Sequence, residues 1–115
     1  FDKDNKLVFE GEYKKGLRNL VLTTEKLKHK DVIENTLQKE KINYLIHQIS
    51  DNCINVYFGD KNCIDVVKTF NKRLNKLTPE QDFMLGIMLG YDKEKQCERY
   101  MRIKNGEIKL GIPQE

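Results

Sequence analysis

Apolar and polar positions in the first half of the chain alternate with the two-residue period of β-strands. Residues 7–14 alternate weakly and predict an edge strand, whereas residues 17–24 are rich in apolar and β-branched residues, as is typical of a buried strand. Residues 42–49 alternate again, and residues 53–58 follow after a short polar turn. Because only that turn separates the last two segments, they are predicted to pair as an antiparallel hairpin.

Two further segments carry apolar residues at helical spacing. Residues 29–41 place valine, isoleucine and leucine on one face and charges on the other, which predicts an amphipathic helix. Residues 61–76 carry an apolar stripe at the same period and predict a second helix. The resulting order, β-α-β-β-α, is that of half a ferredoxin-like fold, with one strand added in front.

The strongest local signal lies at the start of the next helix. Thr78 can cap this helix, Pro79 suits its first position, and Gln81 completes a capping box. The helix is predicted to run to Leu89, with Gly90 as its C-cap. It is apolar nearly all round, so we expect it to be buried on several sides.

A last helix is predicted over residues 93–101. We expect its Cys97, Tyr100 and Met101 to face inward, and its Gln96 and Arg99 to meet solvent.

The Asn105-Gly106 pair that follows allows two outcomes. It can end the last helix, or it can turn a small hairpin between residues 101–104 and 107–110.

These elements predict an α+β, two-layer domain. It contains a three- or four-stranded, mostly antiparallel sheet with a β-α-β-β-α core, and a C-terminal helix pair. A length of 115 residues suits a single domain. Residues 1–115 are therefore predicted to form one domain, with residues 1–11 and 105–115 at its periphery.

Composition and charge exclude some classes of protein. Basic residues number 21 and acidic residues 18, and the two kinds are interleaved. Nucleic-acid binders concentrate their basic residues, so no nucleic-acid partner is expected. The chain has no run of about 18 apolar residues, so no membrane partner is expected either.

The three cysteines, Cys53, Cys63 and Cys97, are widely spaced and form no CxxC pair. A structural zinc site usually has a closely spaced pair of ligands, so neither a metal site nor a cofactor is predicted. Unpaired thiols suit a reducing compartment, which predicts a cytoplasmic protein.

Several short motifs occur together and in a fixed order. They are YKKGLRNLVL at residues 13–22, NVYFG at 55–59, LTPEQDF at 77–83, LGYD at 89–92 and QCERY at 96–100. In this combination the chain resembles a small bacterial family catalogued as domain of unknown function 2023, from about residue 12 to residue 103. The resemblance implies a short α/β domain that forms a homodimer and has no established activity. It also implies a connection with redox or iron metabolism.

One loop, where a predicted strand meets a predicted helix, could bind a ligand. Backbone N–H groups at a helix start favour an anion, and a cysteine there can be reactive. The candidate ligand-binding residues are Gly59, Asp60, Asn62, Cys63, Arg18 and Asn19. Two functions follow as alternatives: a binder of a small ligand or anion at this loop, and a thiol-dependent redox enzyme that uses Cys63. A purely structural role, with Asp60 or Asn62 as helix cap and Cys63 in the core, explains the same residues.

No catalytic residue is predicted. A nucleophilic Cys63 would need a base such as His29 or His47 within reach, and the sequence brings neither close to it.

The leading prediction is a non-enzymatic, homodimeric interaction or regulatory module with no assigned small-molecule or protein partner. It depends on the apolar C-terminal helix, in which Gly86 and Gly90 permit close packing and methionines supply adaptable contacts. The predicted interface residues are Phe83, Met84, Ile87, Met88 and Tyr91.

Overall fold

The computed structural model describes residues 19–109, which form a three-stranded sheet and four α-helices. The strands are β1 (Leu20–Lys26), β2 (Asn43–Gln48) and β3 (Cys53–Gly59). The helices are α1 (Lys30–Lys39), α2 (Lys61–Val67), α3 (Pro79–Met88) and α4 (Lys93–Lys104). Single 3₁₀ turns cover Leu27–His29 and Leu74–Lys76. The strand predicted over residues 7–14 and the candidate ligand residue Arg18 lie outside the described residues.

The sheet is antiparallel throughout, and β3 is its central strand in the order β1-β3-β2. Tyr57 on β3 lies opposite Leu22 on β1 and Leu45 on β2. The β2–β3 pairing confirms the predicted hairpin. Helix α1 joins β1 to β2, and β3 lies between these two strands. This is the arrangement of a split βαβ unit, which the predicted element order implies.

Alternation along β3 divides the core into two clusters, one on each face of the sheet. The cluster under α1 contains Val21, Ile33, Leu37, Ile42, Ile54, Val56 and Phe58. The opposite cluster contains Leu20, Tyr57, Ile64, Val67, Phe70, Leu77, Leu85 and Leu89. The second cluster joins α2, α3 and the loop between them to the sheet.

The α+β class, the antiparallel sheet and the C-terminal helix pair are thus confirmed. The layering has one more level than the predicted two layers, since α1 packs on one face and α2 and α3 pack on the opposite face.

Helix α2 ends at Val67, so the prediction of one helix over residues 61–76 was wrong. The Thr69 hydroxyl donates a hydrogen bond to the Val66 carbonyl, and the Phe70 side chain turns into the second cluster. Side-chain bonds of this kind compete with the helical backbone ladder. The chain instead reaches α3 through turns held by buried Phe70 and Leu77.

Helix α4 runs three residues beyond the predicted end and closes at the Asn105-Gly106 pair. Gly106 has a φ of +78°, and its N–H donates to the Ile103 carbonyl. Of the two predicted outcomes, the helix end is the correct one, because glycine adopts this conformation without strain.

No helix within residues 19–109 is both long enough and apolar enough to cross a membrane.

Candidate functional site

The structure brings three of the predicted ligand-binding residues together at the sheet edge. The Asn19 amide donates to the Asp60 carboxylate at 2.7 Å, and the Asp60 N–H donates to the Asn19 carbonyl at 2.9 Å. Gly59 has a φ of +150°, and a Cβ on it would overlap the Asn19 carbonyl oxygen. The polar groups of this loop therefore bond to one another and tie β1 to the start of α2.

The rest of the loop offers little to an anion. Asn62 is exposed, whereas Cys63 is half-buried and packs against the second core cluster. Burial, together with the negative charge of Asp60, raises the pKa of the Cys63 thiol. A raised pKa lowers the thiolate fraction and with it the nucleophilicity of the sulfur. The packing of Cys63 fits the structural role, but the predicted side-chain cap is not formed, because the Asp60 side chain makes no capping hydrogen bond and Asn62 lies within α2.

The C-terminal helix pair is built by caps and one ion pair. Thr78 and Gln81 form the predicted capping box: the Thr78 hydroxyl accepts from the Gln81 N–H, and the Gln81 side chain accepts from the Thr78 N–H. Asp92 caps α4 by accepting from the Lys95 N–H at 2.9 Å. Asp82 on α3 then accepts two hydrogen bonds from the Arg99 guanidinium on α4.

The inward face of α4 differs from the prediction. Gln96 is buried, with 2% of its surface exposed, and Arg99 lies partly buried against Asp82, whereas Cys97 is exposed. The reason lies on α3, where a Cβ on Gly86 would overlap the Gln96 carboxamide. Because Gly86 has no side chain, the long side chain of Gln96 fits against it. This contact determines which face of α4 turns toward α3.

This orientation of α4 creates an apolar groove of about 400 Å³ between α3 and α4, which we call the α3–α4 groove. It is lined by Glu80, Phe83, Met84, Cys97, Tyr100 and Met101. Phe83 and Tyr100 meet edge to face, with ring centroids 5.6 Å apart. Met84 is 43% exposed and Met101 is 53% exposed, so both thioethers face solvent.

The five predicted interface residues fall into two groups. Met84 and Tyr91 are exposed, and Phe83 and Ile87 are partly exposed. Met88 packs against the second core cluster. The helix predicted to be apolar all round thus buries one side, at Leu85 and Gly86, and leaves the opposite side open.

Sequence reasoning missed the contribution of α4 to this groove. Tyr100 and Met101 were expected to face inward, but Met101 is 53% exposed and both side chains line the groove. The signal that could have found them is the spacing of Cys97 and Met101, four residues apart on one helix face.

Charges occupy one end of the α3–α4 groove. Glu80 accepts hydrogen bonds from the Tyr100 hydroxyl at 2.8 Å and from the Lys104 ammonium at 3.3 Å. The bond from Tyr100 is the main cause that lowers the pKa of Glu80, and the same bond raises the pKa of Tyr100. The groove therefore has an apolar centre and a polar, charge-balanced end.

The sequence over residues 6–103 matches the family described as Protein of unknown function (DUF2023). The chain belongs to the DUF2023 family. No curated protein matches the chain.

The chemistry of this DUF2023 chain must therefore be judged from its own side chains. Within residues 19–109, no group of three or more histidines, cysteines and carboxylates is arranged to hold a metal ion. His47 lies in β2, where its ring contacts Tyr57 with centroids 6.0 Å apart. Cys63, on α2, is half-buried and packs against the second core cluster. The α3–α4 groove, with its apolar lining and two exposed methionines, is a surface suited to binding.

Proposed function

We propose that this DUF2023 chain is a small, non-enzymatic interaction module that forms a homodimer through the α3–α4 groove. The observation that carries the proposal is the pair of exposed methionines, Met84 and Met101, on either side of an apolar groove. Methionine is adaptable and is common at protein contacts. Covering such a surface releases water from apolar area, which favours association.

A second copy suits this surface because one face of α4 complements itself. Glu94, Cys97, Met101 and Lys104 follow one another at steps of three, four and three residues and are all exposed. At 100° per residue they form a single stripe along the helix. The stripe begins with an acid, ends with a base and is apolar in between.

Two such stripes match when the α4 helices of two copies run antiparallel. The twofold axis then crosses the stripe midway between Cys97 and Met101. Glu94 then faces the partner's Lys104, and Cys97 faces the partner's Met101. A twofold interface requires a patch of this self-complementary kind. Lys104 keeps 47% of its side chain exposed while bound to Glu80, so its ammonium can donate to a second carboxylate.

The proposal extends to location and role. Cys53, Cys63 and Cys97 are free thiols, which supports a cytoplasmic, reducing environment. The bacterial source and the connection with redox or iron metabolism rest on the family resemblance. The proposed role is therefore that of a dimer that binds other proteins in regulation or assembly and has no catalytic activity of its own.

Sedimentation velocity over micromolar concentrations tests the dimer. The wild type should sediment as a dimer, and Met84→Glu and Met101→Glu should shift it to monomer, because each places a charge in the apolar contact. Val32→Glu is the matched control, since Val32 on α1 is 43% exposed, like Met84. It should remain a dimer.

Two outcomes would reject the proposal. One is a wild type that stays monomeric at every concentration. The other is a dimer that survives both methionine substitutions. Circular dichroism of each variant establishes that the fold is retained, so that a loss of dimer reports on the surface alone.

A further inference from the structure

The longest purely basic stretch of the described chain lies between α2 and α3. Four basic residues and no acidic ones occur between Asp65 and Glu80. They are Lys68, Lys72, Arg73 and Lys76, which we call the basic surface. Its four charges exceed the net charge of +3 of the whole chain, so the rest of the molecule is slightly acidic. Four of the 21 basic residues thus follow one another without an intervening acid, although basic and acidic residues are interleaved elsewhere.

The basic surface is held in place by the fold. Phe70 and Leu77 are buried in the second core cluster, and Leu74 packs against it. The Arg73 N–H donates to the Asn71 side chain at 2.8 Å, and the Lys76 N–H donates to the Arg73 carbonyl at 3.0 Å. With the apolar side chains turned inward, the cations project outward from a fixed backbone.

The cations of the basic surface are exposed and form no ion pair within residues 19–109. The nearest acid along the chain, Asp65, already binds Lys61 at 2.7 Å. Lys72 lies close enough to β2 for its charge to add to the burial that lowers the pKa of His47. The positive field therefore extends from the loop onto the neighbouring strand.

We propose that the basic surface binds an acidic segment or acidic face of another protein. Complementary charge steers such partners together and selects against wrong ones. Four exposed cations on one ordered loop suit the carboxylates of such a surface. This contact is separate from the α3–α4 groove, so a homodimer would present two copies of it.

Other polyanions fit the basic surface less well. A nucleic-acid binder typically contacts about six to ten phosphates, and single-strand binders stack bases on exposed aromatic rings. The basic surface has four cations, and Phe70, its one aromatic residue, is buried. A membrane-binding segment turns apolar side chains outward from an amphipathic helix, whereas here they face the core.

The test uses fluorescence anisotropy with three probes: a labelled glutamate-rich peptide, a single-stranded oligonucleotide and vesicles of phosphatidylserine and phosphatidylcholine. The variant K68Q/K72Q/R73Q/K76Q removes the basic surface. The control K26Q/K28Q/K39Q/K41Q removes the same charge from exposed lysines elsewhere. A third variant, K68R/K72R/K76R, keeps the charge and reports on the fold.

The wild type, the control and the arginine variant should bind the acidic peptide alike, and binding should weaken with salt. The glutamine variant of the basic surface should lose about 10- to 100-fold in affinity, the sum expected of a few exposed charge pairs. Equal loss in both glutamine variants, or no peptide binding by the wild type, would overturn the proposal. So would oligonucleotide or vesicle binding that depends on the basic surface alone, since this would assign it to a nucleic acid or a membrane.

Discussion

Arg99 on α4 and Asp82 on α3 form a two-pronged ion pair across the C-terminal helices. The Nε atom of Arg99 lies 2.9 Å from one carboxylate oxygen of Asp82, and Nη2 lies 3.2 Å from the other. Only 12% of the arginine side chain and 18% of the aspartate side chain are exposed. Planar bonds of this kind fix orientation as well as distance. The pair therefore holds α4 in a defined orientation against α3, and these two helices form the walls of the α3–α4 groove.

Arg99→Ala should lower the free energy of unfolding by about 1–3 kcal/mol, the range for a buried acceptor left without its donor. The reason is that Asp82 would remain partly buried without its partner. Urea denaturation followed by circular dichroism measures the change.

The control for this ion pair is Lys61→Ala. Lys61 binds Asp65 at 2.7 Å, but 73% of its side chain is exposed. An exposed pair contributes about 0–1 kcal/mol. If both alanine variants lose the same stability, the Arg99–Asp82 pair has no special role in joining the helices.

A second prediction concerns the contact between Gly86 and Gln96. Alanine normally stabilises a helix interior relative to glycine by about 1 kcal/mol. Gly86→Ala should nevertheless destabilise the chain by about 1–3 kcal/mol, the usual cost of overpacking, because its methyl group would overlap the buried carboxamide.

The double variant Gly86→Ala/Gln96→Ala distinguishes overlap from other causes. Removing the carboxamide makes room for the methyl group, so the loss from Gly86→Ala should be smaller in the Gln96→Ala background. Thermal unfolding of all four proteins gives the coupling. Strictly additive losses would show that the two residues do not compete for space.

Much of this fold could be predicted from local sequence patterns. Strict alternation and a short turn defined the β2–β3 hairpin, and the Thr78–Gln81 box located the start of α3. Such signals depend only on residues close together in the sequence, so contacts between distant elements do not alter the structures that they predict. The end of α2 was harder, because an apolar stripe at helical spacing continues through Phe70 and Leu74 although the helix stops at Val67.

The candidate site was less predictable because it depends on contacts between elements. The rotation of α4 follows from the fit of Gln96 against Gly86, ten residues away, and no local pattern shows it. The apolar character of α3 indicated an interface, but the partner side chains on α4 became visible only in three dimensions. At the loop that follows Gly59, the sequence predicted a ligand site. In the structure its polar groups bond to one another, as Asn19 does to Asp60.

A third prediction concerns acid stability. Burial is the main cause that lowers the pKa of His47 below its ordinary value of 6.5, and the charge of Lys72 adds to it. The folded chain therefore binds fewer protons at His47 than the unfolded chain as pH falls below 6.5. Stability from this residue is present above that pH and is lost as pH falls through the folded-state pKa.

His47→Gln should flatten the stability profile between about pH 5 and 7, the range in which histidine titrates. The control His29→Gln should keep the slope, since it leaves His47 in place. Urea unfolding at a series of pH values gives both profiles. An unchanged slope in His47→Gln would assign the acid loss to other groups.

Thiol labelling provides a fourth prediction. Cys97 is exposed, whereas Cys63 is half-buried with a raised pKa. Iodoacetamide should therefore modify Cys97 well before Cys63 when the protein is dilute and monomeric. Asp60→Asn should speed the reaction of Cys63, because it removes a negative charge that opposes the thiolate. Peptide mapping by mass spectrometry follows each site, and faster labelling at Cys63 than at Cys97 in the wild type would revive the thiol-enzyme alternative.

The charges on the α4 stripe allow a test of the proposed dimer geometry itself. In the antiparallel arrangement Glu94 faces the partner's Lys104 twice, once on each side of the axis. Glu94→Lys should raise the dimer dissociation constant by about 5- to 30-fold, because two exposed pairs of about 0.5–1 kcal/mol each are lost. Adding Lys104→Glu exchanges the charges and should recover most of the affinity.

The matched control for the α4 stripe is Asp31→Lys. Asp31 is an exposed acid in the first turn of α1, as Glu94 is in the first turn of α4. Both substitutions therefore reverse an acidic charge at a helix N-terminus, where acids complement the helix dipole, and cost the helix a similar amount. Asp31→Lys should leave the dimer intact, because α1 lies on the opposite face of the sheet. If Met84→Glu dissociates the dimer but Glu94→Lys leaves its dissociation constant unchanged, the groove remains the interface. The antiparallel pairing of the two α4 helices would then be wrong.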